Sequence, residues 1–172
     1  MTAWSTISDR TAGQTITASW ANTLRDNALH LYEIVGAGAS AWTSYAPTFG
    51  SAVTVGNGTA TGGYQQVGKL VHFRAKFVLG TTSSIGANPV TVTLPVTGSA
   101  GLPMGQATIH YYDDSAAKMF LGLAVFTSTT VVTGYYMNTS TFNARGDSLS
   151  STAPFTWTNP DYIQVAGWYE AA

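Results

Sequence analysis

Between Leu70 and Leu79 the chain alternates without a break: Val71, Phe73, Ala75, Phe77 and Leu79 are apolar, and His72, Arg74 and Lys76 stand between them. Side chains of a strand point to opposite faces in turn, so this segment offers one face to a core and one to water. A strand of this kind belongs to a sheet buried on one side only, which is the habit of antiparallel sheets. The strip His72, Arg74, Lys76 is a candidate ligand-facing surface for acidic glycans or a partner's carboxylates. The plainer reading is a solvated row on an exposed sheet face.

The rest of the chain from Tyr45 onward uses the same vocabulary, β-branched and aromatic runs broken at short intervals by Gly, Asn and Pro. Strands are expected near Val53 and Tyr64, over 70–79, 89–94, 106–112, 118–126, 130–137 and 162–169, about eight in all. Asn57-Gly58 is a favoured hairpin dipeptide, because both central positions of a type I′ turn need positive φ, and Val67-Gly68-Lys69 reads as the next tight turn. The expected fold is mainly β, an antiparallel sandwich of jelly-roll type. Its core is expected to hold Val71, Phe73, Phe77, Val92, Leu94, Leu123 and Val125, with His72, Arg74 and Lys76 outside.

Upstream the periodicity changes. Ala21, Leu24, Ala28, Leu31 and Val35 recur at spacings of three and four and draw one apolar stripe along a helix from Thr17 to about Val35, suited to self-association or packing. Thr17 is the expected N-cap, and Gly36 and Gly38 the expected stop. The stripe covers about two heptads, too little to hold a helix alone. Before Thr17 only Trp4 and Ile7 break a polar arm, and isolated apolar residues in such an arm are what a partner's pockets capture. Residues 36–48 read as a linker with two aromatic anchors, Trp42 and Tyr45. The expected division is an anchoring arm, helix and linker over 1–41 and a β domain over 42–172.

Composition narrows the function. The chain has 172 residues, 45% hydrophobic and only 9% charged, with a formal net charge of −1. Such a balance makes no field to gather phosphates along a nucleic acid or an anionic membrane. No apolar run approaches the roughly 20 residues of a membrane span, so no membrane insertion is expected. The start carries no basic, then apolar, secretory pattern, which fits synthesis in a cytoplasm. With no Cys there is no disulfide and no thiolate metal site.

Residues that carry chemistry are few. Asp113-Asp114 beside Tyr112 could offer oxygen ligands to Ca²⁺, yet a solvated turn between strands is the plainer reading, and these three residues are kept as candidate ligand-facing positions. His30, His72 and His110 are far apart and show no metal-ligand spacing. Arg145-Gly146-Asp147 reads as a loop tip. No Ser-His-Asp order, zinc motif or phosphate loop is present, so no catalytic residue and no cofactor is assigned.

Two stretches carry a resemblance: Tyr45-Ala46-Pro47-Thr48-Phe49 through Gly56-Asn57-Gly58-Thr59-Ala60-Thr61-Gly62-Gly63-Tyr64-Gln65-Gln66-Val67-Gly68-Lys69, and Pro154-Phe155-Thr156-Trp157 through Gly167-Trp168-Tyr169-Glu170-Ala171-Ala172. With the upstream segment 16–27 they resemble a domain type found in minor structural proteins of tailed bacteriophages, especially those of actinobacterial hosts. The resemblance implies a non-enzymatic virion protein exposed on the particle as head decoration, head fibre or tail appendage. It further implies a homotrimer that docks on capsid or tail proteins through its N-terminal segment. A host-wall glycan-binding adhesin is the rival reading. A hydrolase of wall polymer ranks last, because the eight Asp and Glu are scattered rather than paired.

Overall fold

The computed structural model describes residues 14–101, 105–137 and 146–172, and for residues 32–40 and 146 the backbone alone. Trp4 and Ile7, the expected anchors, lie outside the described residues, as do Arg145 and the side chain of Val35. The chain divides into two compact units, Met1–Ala41 and Trp42–Ala172.

The first unit carries α1, Ala18–Ser40. Thr17 caps it in extended conformation, its hydroxyl oxygen accepting from the Trp20 amide at 3.3 Å. The expected stop at Gly36 and Gly38 is corrected: the helix runs on to Ser40 and ends at an extended Ala41. Glycine keeps both backbone hydrogen-bonding groups, so it weakens a helix by about 1 kcal/mol without breaking it. The expected linker over 36–48 therefore shrinks to a few residues around β1, Thr43–Tyr45.

The second unit holds β1 and nine further strands: β2 Phe49–Thr54, β3 Thr59–Val67, β4 Leu70–Val78, β5 Ser84–Thr93, β6 Gly105–Asp113, β7 Lys118–Ser128, β8 Val131–Met137, β9 Gly146–Asp147 and β10 Tyr162–Glu170. All pairs are antiparallel, and they form one ladder in the order β1-β3-β4-β10-β6-β7-β8-β5-β2, with β9 added on β8. The mainly β, antiparallel expectation holds, but the ladder is a single sheet rather than two separate ones. It curls: the ring of Phe49 on β2, at one end of the ladder, lies 5.5 Å from that of Phe77 on β4, near the other end. The last strand, β10, lies inside the ladder, paired along its length with β4 on one side and β6 on the other.

The concave face is the core. Val71, Phe73, Ala75, Phe77 and Leu79 are buried as their alternation requires, with Val90, Val92, Ile109, Tyr111, Phe126, Ile163, Val165 and Tyr169. Phe73, Phe126 and Tyr169 meet as an aromatic triad with ring centres 5.6–6.4 Å apart. The Tyr169 hydroxyl donates to the Val96 carbonyl at 2.7 Å and accepts from the Val96 amide at 3.1 Å. Burial raises the Tyr169 phenol to about 12.

The core expectation fails at two residues. Leu123 and Val125 point outward, and Leu94 is only half-buried. On β7 the inward positions are Phe120, Gly122, Ala124 and Phe126. Small residues stand inside because large ones from the neighbouring strand fill that space: a side chain at Gly122 would meet Ile109 and Tyr111, and one at Gly134 on β8 would meet Ile109, Val90 and Tyr111. Close packing leaves no room for a leucine there.

The Asn57-Gly58 hairpin is corrected as well. β2 and β3 are not paired; they belong to opposite ends of the ladder. The turn spans Val55 to Gly58, closed by the Gly58 amide on the Val55 carbonyl at 2.9 Å, and its left-handed residue is Gly56 with φ 55°. Asn57 instead ties the turn to the β4–β5 connection, its side-chain oxygen accepting from the Thr82 amide and hydroxyl, both at 2.9 Å. The Gly68-Lys69 turn is a true β3–β4 hairpin, with Gly68 at φ 58°.

Candidate ligand groove and apolar face

The convex face of the sheet changes chemistry from strand to strand. Reading across the register from β4, Arg74 stands beside Ala166, then Thr108, then Leu123, then Tyr135. A cation therefore gives way to small neutral residues and then to a leucine and a tyrosine within a few strand spacings of about 4.8 Å each.

At the cationic end Trp42 and Tyr45 straddle β3 through two adjacent glycines. A side chain at Gly62 would run into the Tyr45 ring, and one at Gly63 would press on Trp42 at 3.4 Å. Gly62-Gly63 thus lets one ring lie on each face of the strand, and these are the two aromatic anchors expected near the domain start. Trp42 reaches across Gly63 to its register partner Arg74, whose guanidinium carbon sits 4.4 Å from the ring centre. Beside this stack opens a groove of about 470 Å³, bordered by Trp42, Thr61, Gly63, Arg74, Lys76 and Gln164.

Lys76 holds its Nζ 3.7 Å from the ring centre of Tyr162, and Tyr162 stacks on Tyr112 at 4.7 Å and 20°. Tyr112 is thereby joined to the strip His72, Arg74, Lys76, all on one face of the sheet. His72 is exposed opposite Trp168, itself exposed.

Asp113 and Asp114 stand apart from the groove, in the β6–β7 turn. The Asp113 carboxylate accepts from the Ser115 hydroxyl at 2.7 Å and the Ala116 amide at 3.0 Å, and these bonds hold its pKa below the ordinary value. Asp114 is exposed, and its amide donates to Oδ1 of Asp161 at 2.9 Å. Asp161 is fully buried; its Oδ2 also accepts from the Thr158 amide at 2.6 Å. The Asp113 carboxylate and the Asp114 amide thus serve the geometry of the turn. Among the described residues no three His, Asp or Glu side chains gather closely enough to hold a metal ion.

At the aliphatic end Met119, Leu121, Leu123 and Val125 form an unbroken outward row on β7, exposed by 60%, 54%, 45% and 48%. Met137 on β8 is exposed as well, and no charged residue faces outward between Met119 and Met137. The helix of the first unit shows a second such stripe: Ala21, Leu24, Ala28 and Leu31 are exposed, and Asn27 is the buried position among its described residues.

Sequence reasoning found Arg74 and Lys76 but missed Gln164 and Thr61, which reach the groove through strand order, and Tyr162, whose ring lies under Lys76. It placed the β7 row on the wrong face. The available signal was the small pair Gly122 and Ala124 alternating with large aliphatics, which marks the inner face of a strand whose neighbours already fill the core.

Comparison with known protein families, curated proteins and solved structures yields no match to this chain.

Proposed function

We propose that this protein is a non-enzymatic structural component of a tailed-phage virion, displayed on the particle surface as a homo-oligomer, with three chains the favoured count. Its N-terminal segment is the part that docks on capsid or tail proteins, and its curled, sandwich-like β domain is the part displayed. The observation that carries this reading is the outward row Met119, Leu121, Leu123, Val125. Four aliphatic side chains in line on a sheet face make a patch that a lone chain does not comfortably leave in water. Sister copies that turn this same face toward a shared axis cover it without stripping water from any ion, because the surface between Met119 and Met137 presents none. The phage assignment itself draws on the resemblance of the turn and aromatic motifs.

A second reading, a host-wall glycan-binding adhesin, is favoured by the groove beside Trp42. The two are compatible, since a displayed oligomer multiplies a weak site.

Labelling of intact virions with an antibody to this chain, seen by electron microscopy, tests the placement. Label on the particle surface is expected; label confined to the soluble fraction of the lysate contradicts it.

A further inference from the structure

We propose that the groove beside Trp42 binds an acidic saccharide, its carboxylate or phosphate oxygens held by Arg74 and Lys76 and one sugar face laid on the exposed part of Trp42. The proposal deepens the glycan-binding reading and rests on it for the class of ligand.

The charges carry the first part of the argument. Neither Arg74 nor Lys76 stands in an ion pair among the described residues, unlike Arg25, which pairs with Asp26, and Lys69, which pairs with Glu170. The two cations leave the same face of β4 two residues apart, about 7 Å along the strand. Two cations on one groove wall, with no carboxylate among its lining residues, favour an anion from outside.

The second part is preorganisation. Arg74 is stacked on Trp42 and Lys76 on Tyr162, which Tyr112 backs in turn. Long cationic side chains ordinarily lose rotamer freedom when they bind; rings beneath them have already restricted these two. Scattered surface lysines do not show this arrangement.

The third part is the lining. Ser44 and Thr61 bring hydroxyls to the groove and Gln164 an amide, around an exposed indole. Hydroxyl and amide groups beside an aromatic plate suit a sugar, which offers polar edges and an apolar face. An acidic peptide fits less well, because a lining of two glycines, polar side chains and one indole offers no apolar socket for a peptide's anchoring side chain.

Calorimetric titration of the full chain tests this with oligogalacturonate, a glucosyl phosphate, neutral maltotriose and an oligoglutamate as probes. Binding of either acidic sugar is expected, weakening with added salt, and the carboxylate and phosphate arms distinguish which anion the site prefers. Arg74→Gln and Lys76→Gln are expected to weaken it about tenfold each, with the melting curve little changed because Arg74 is exposed, Lys76 is half-buried and neither is in an ion pair. Equal binding of maltotriose overturns the acidic specificity while leaving the adhesion reading in place. Absence of binding to all three sugars overturns both. Tighter binding of oligoglutamate, or undiminished affinity in the two glutamine variants, overturns the proposal in favour of a protein partner or another surface.

Discussion

The guanidinium carbon of Arg74 lies 4.4 Å from the ring centre of Trp42, the first residue of the β unit. A residue that a reader of the sequence would assign to a linker thus builds one wall of the groove. β1 is short, but it fixes that wall through its pairing of Ser44 with Gly63 and Tyr45 with Gly62.

A chain that begins at Trp42 is expected to fold on its own, with a single cooperative melt, because the core residues all lie beyond it. The same chain is expected to fail to attach to particles lacking this protein, since the segment proposed to dock is gone. Attachment undiminished by the deletion contradicts the anchor assignment.

Asp161 is fully buried and accepts from the amides of Asp114 and Thr158, so it ties the β6–β7 turn to the start of the interior strand β10. Asp161→Ala leaves both amides without that acceptor and opens a small void. The expected cost is about 3 kcal/mol in urea denaturation, with the m-value unchanged. A loss below the usual effect of a surface substitution, about 0.5 kcal/mol, contradicts the role given to it.

The turn next to it supplies a pH dependence. The hydrogen bonds from Ser115 and Ala116 lower the folded-state pKa of Asp113 below its ordinary value of 3.8. A group depressed in the folded state stabilises fully above its unfolded pKa, and that contribution is lost as pH falls through the folded value. The stability advantage of the natural chain over Asp113→Asn is therefore expected to be constant at neutral pH and to fade below about pH 4. Paired denaturation curves from pH 7 to pH 2, about the accessible range, check this; an advantage that grows on acidification contradicts the sign.

Most strands were legible because alternation and turn residues are local. The β4 register follows from Val71 to Leu79 directly, and the Gly68 hairpin from its own dipeptide. The long-range pairing was not: nothing near Asn57 says that its turn joins strands at opposite ends of the ladder. β7 misled because it is apolar on both faces, and which face is buried depends on Ile109 and Tyr111, which arrive from another strand and need the space above Gly122 and Gly134. The groove was half legible for the same reason. Arg74 and Lys76 share one strand, whereas Trp42, Thr61 and Gln164 join them only through strand order.

Sedimentation of the full chain at micromolar concentration, beside a Leu121→Glu, Leu123→Glu double variant, tests self-association through β7 most directly. Both positions are half exposed, so the variant is expected to keep its fold by circular dichroism while placing like charges where two copies meet. The natural chain is expected to sediment as three chains and the variant as one. A natural chain that sediments as a monomer, or a folded variant that remains a trimer, contradicts the account.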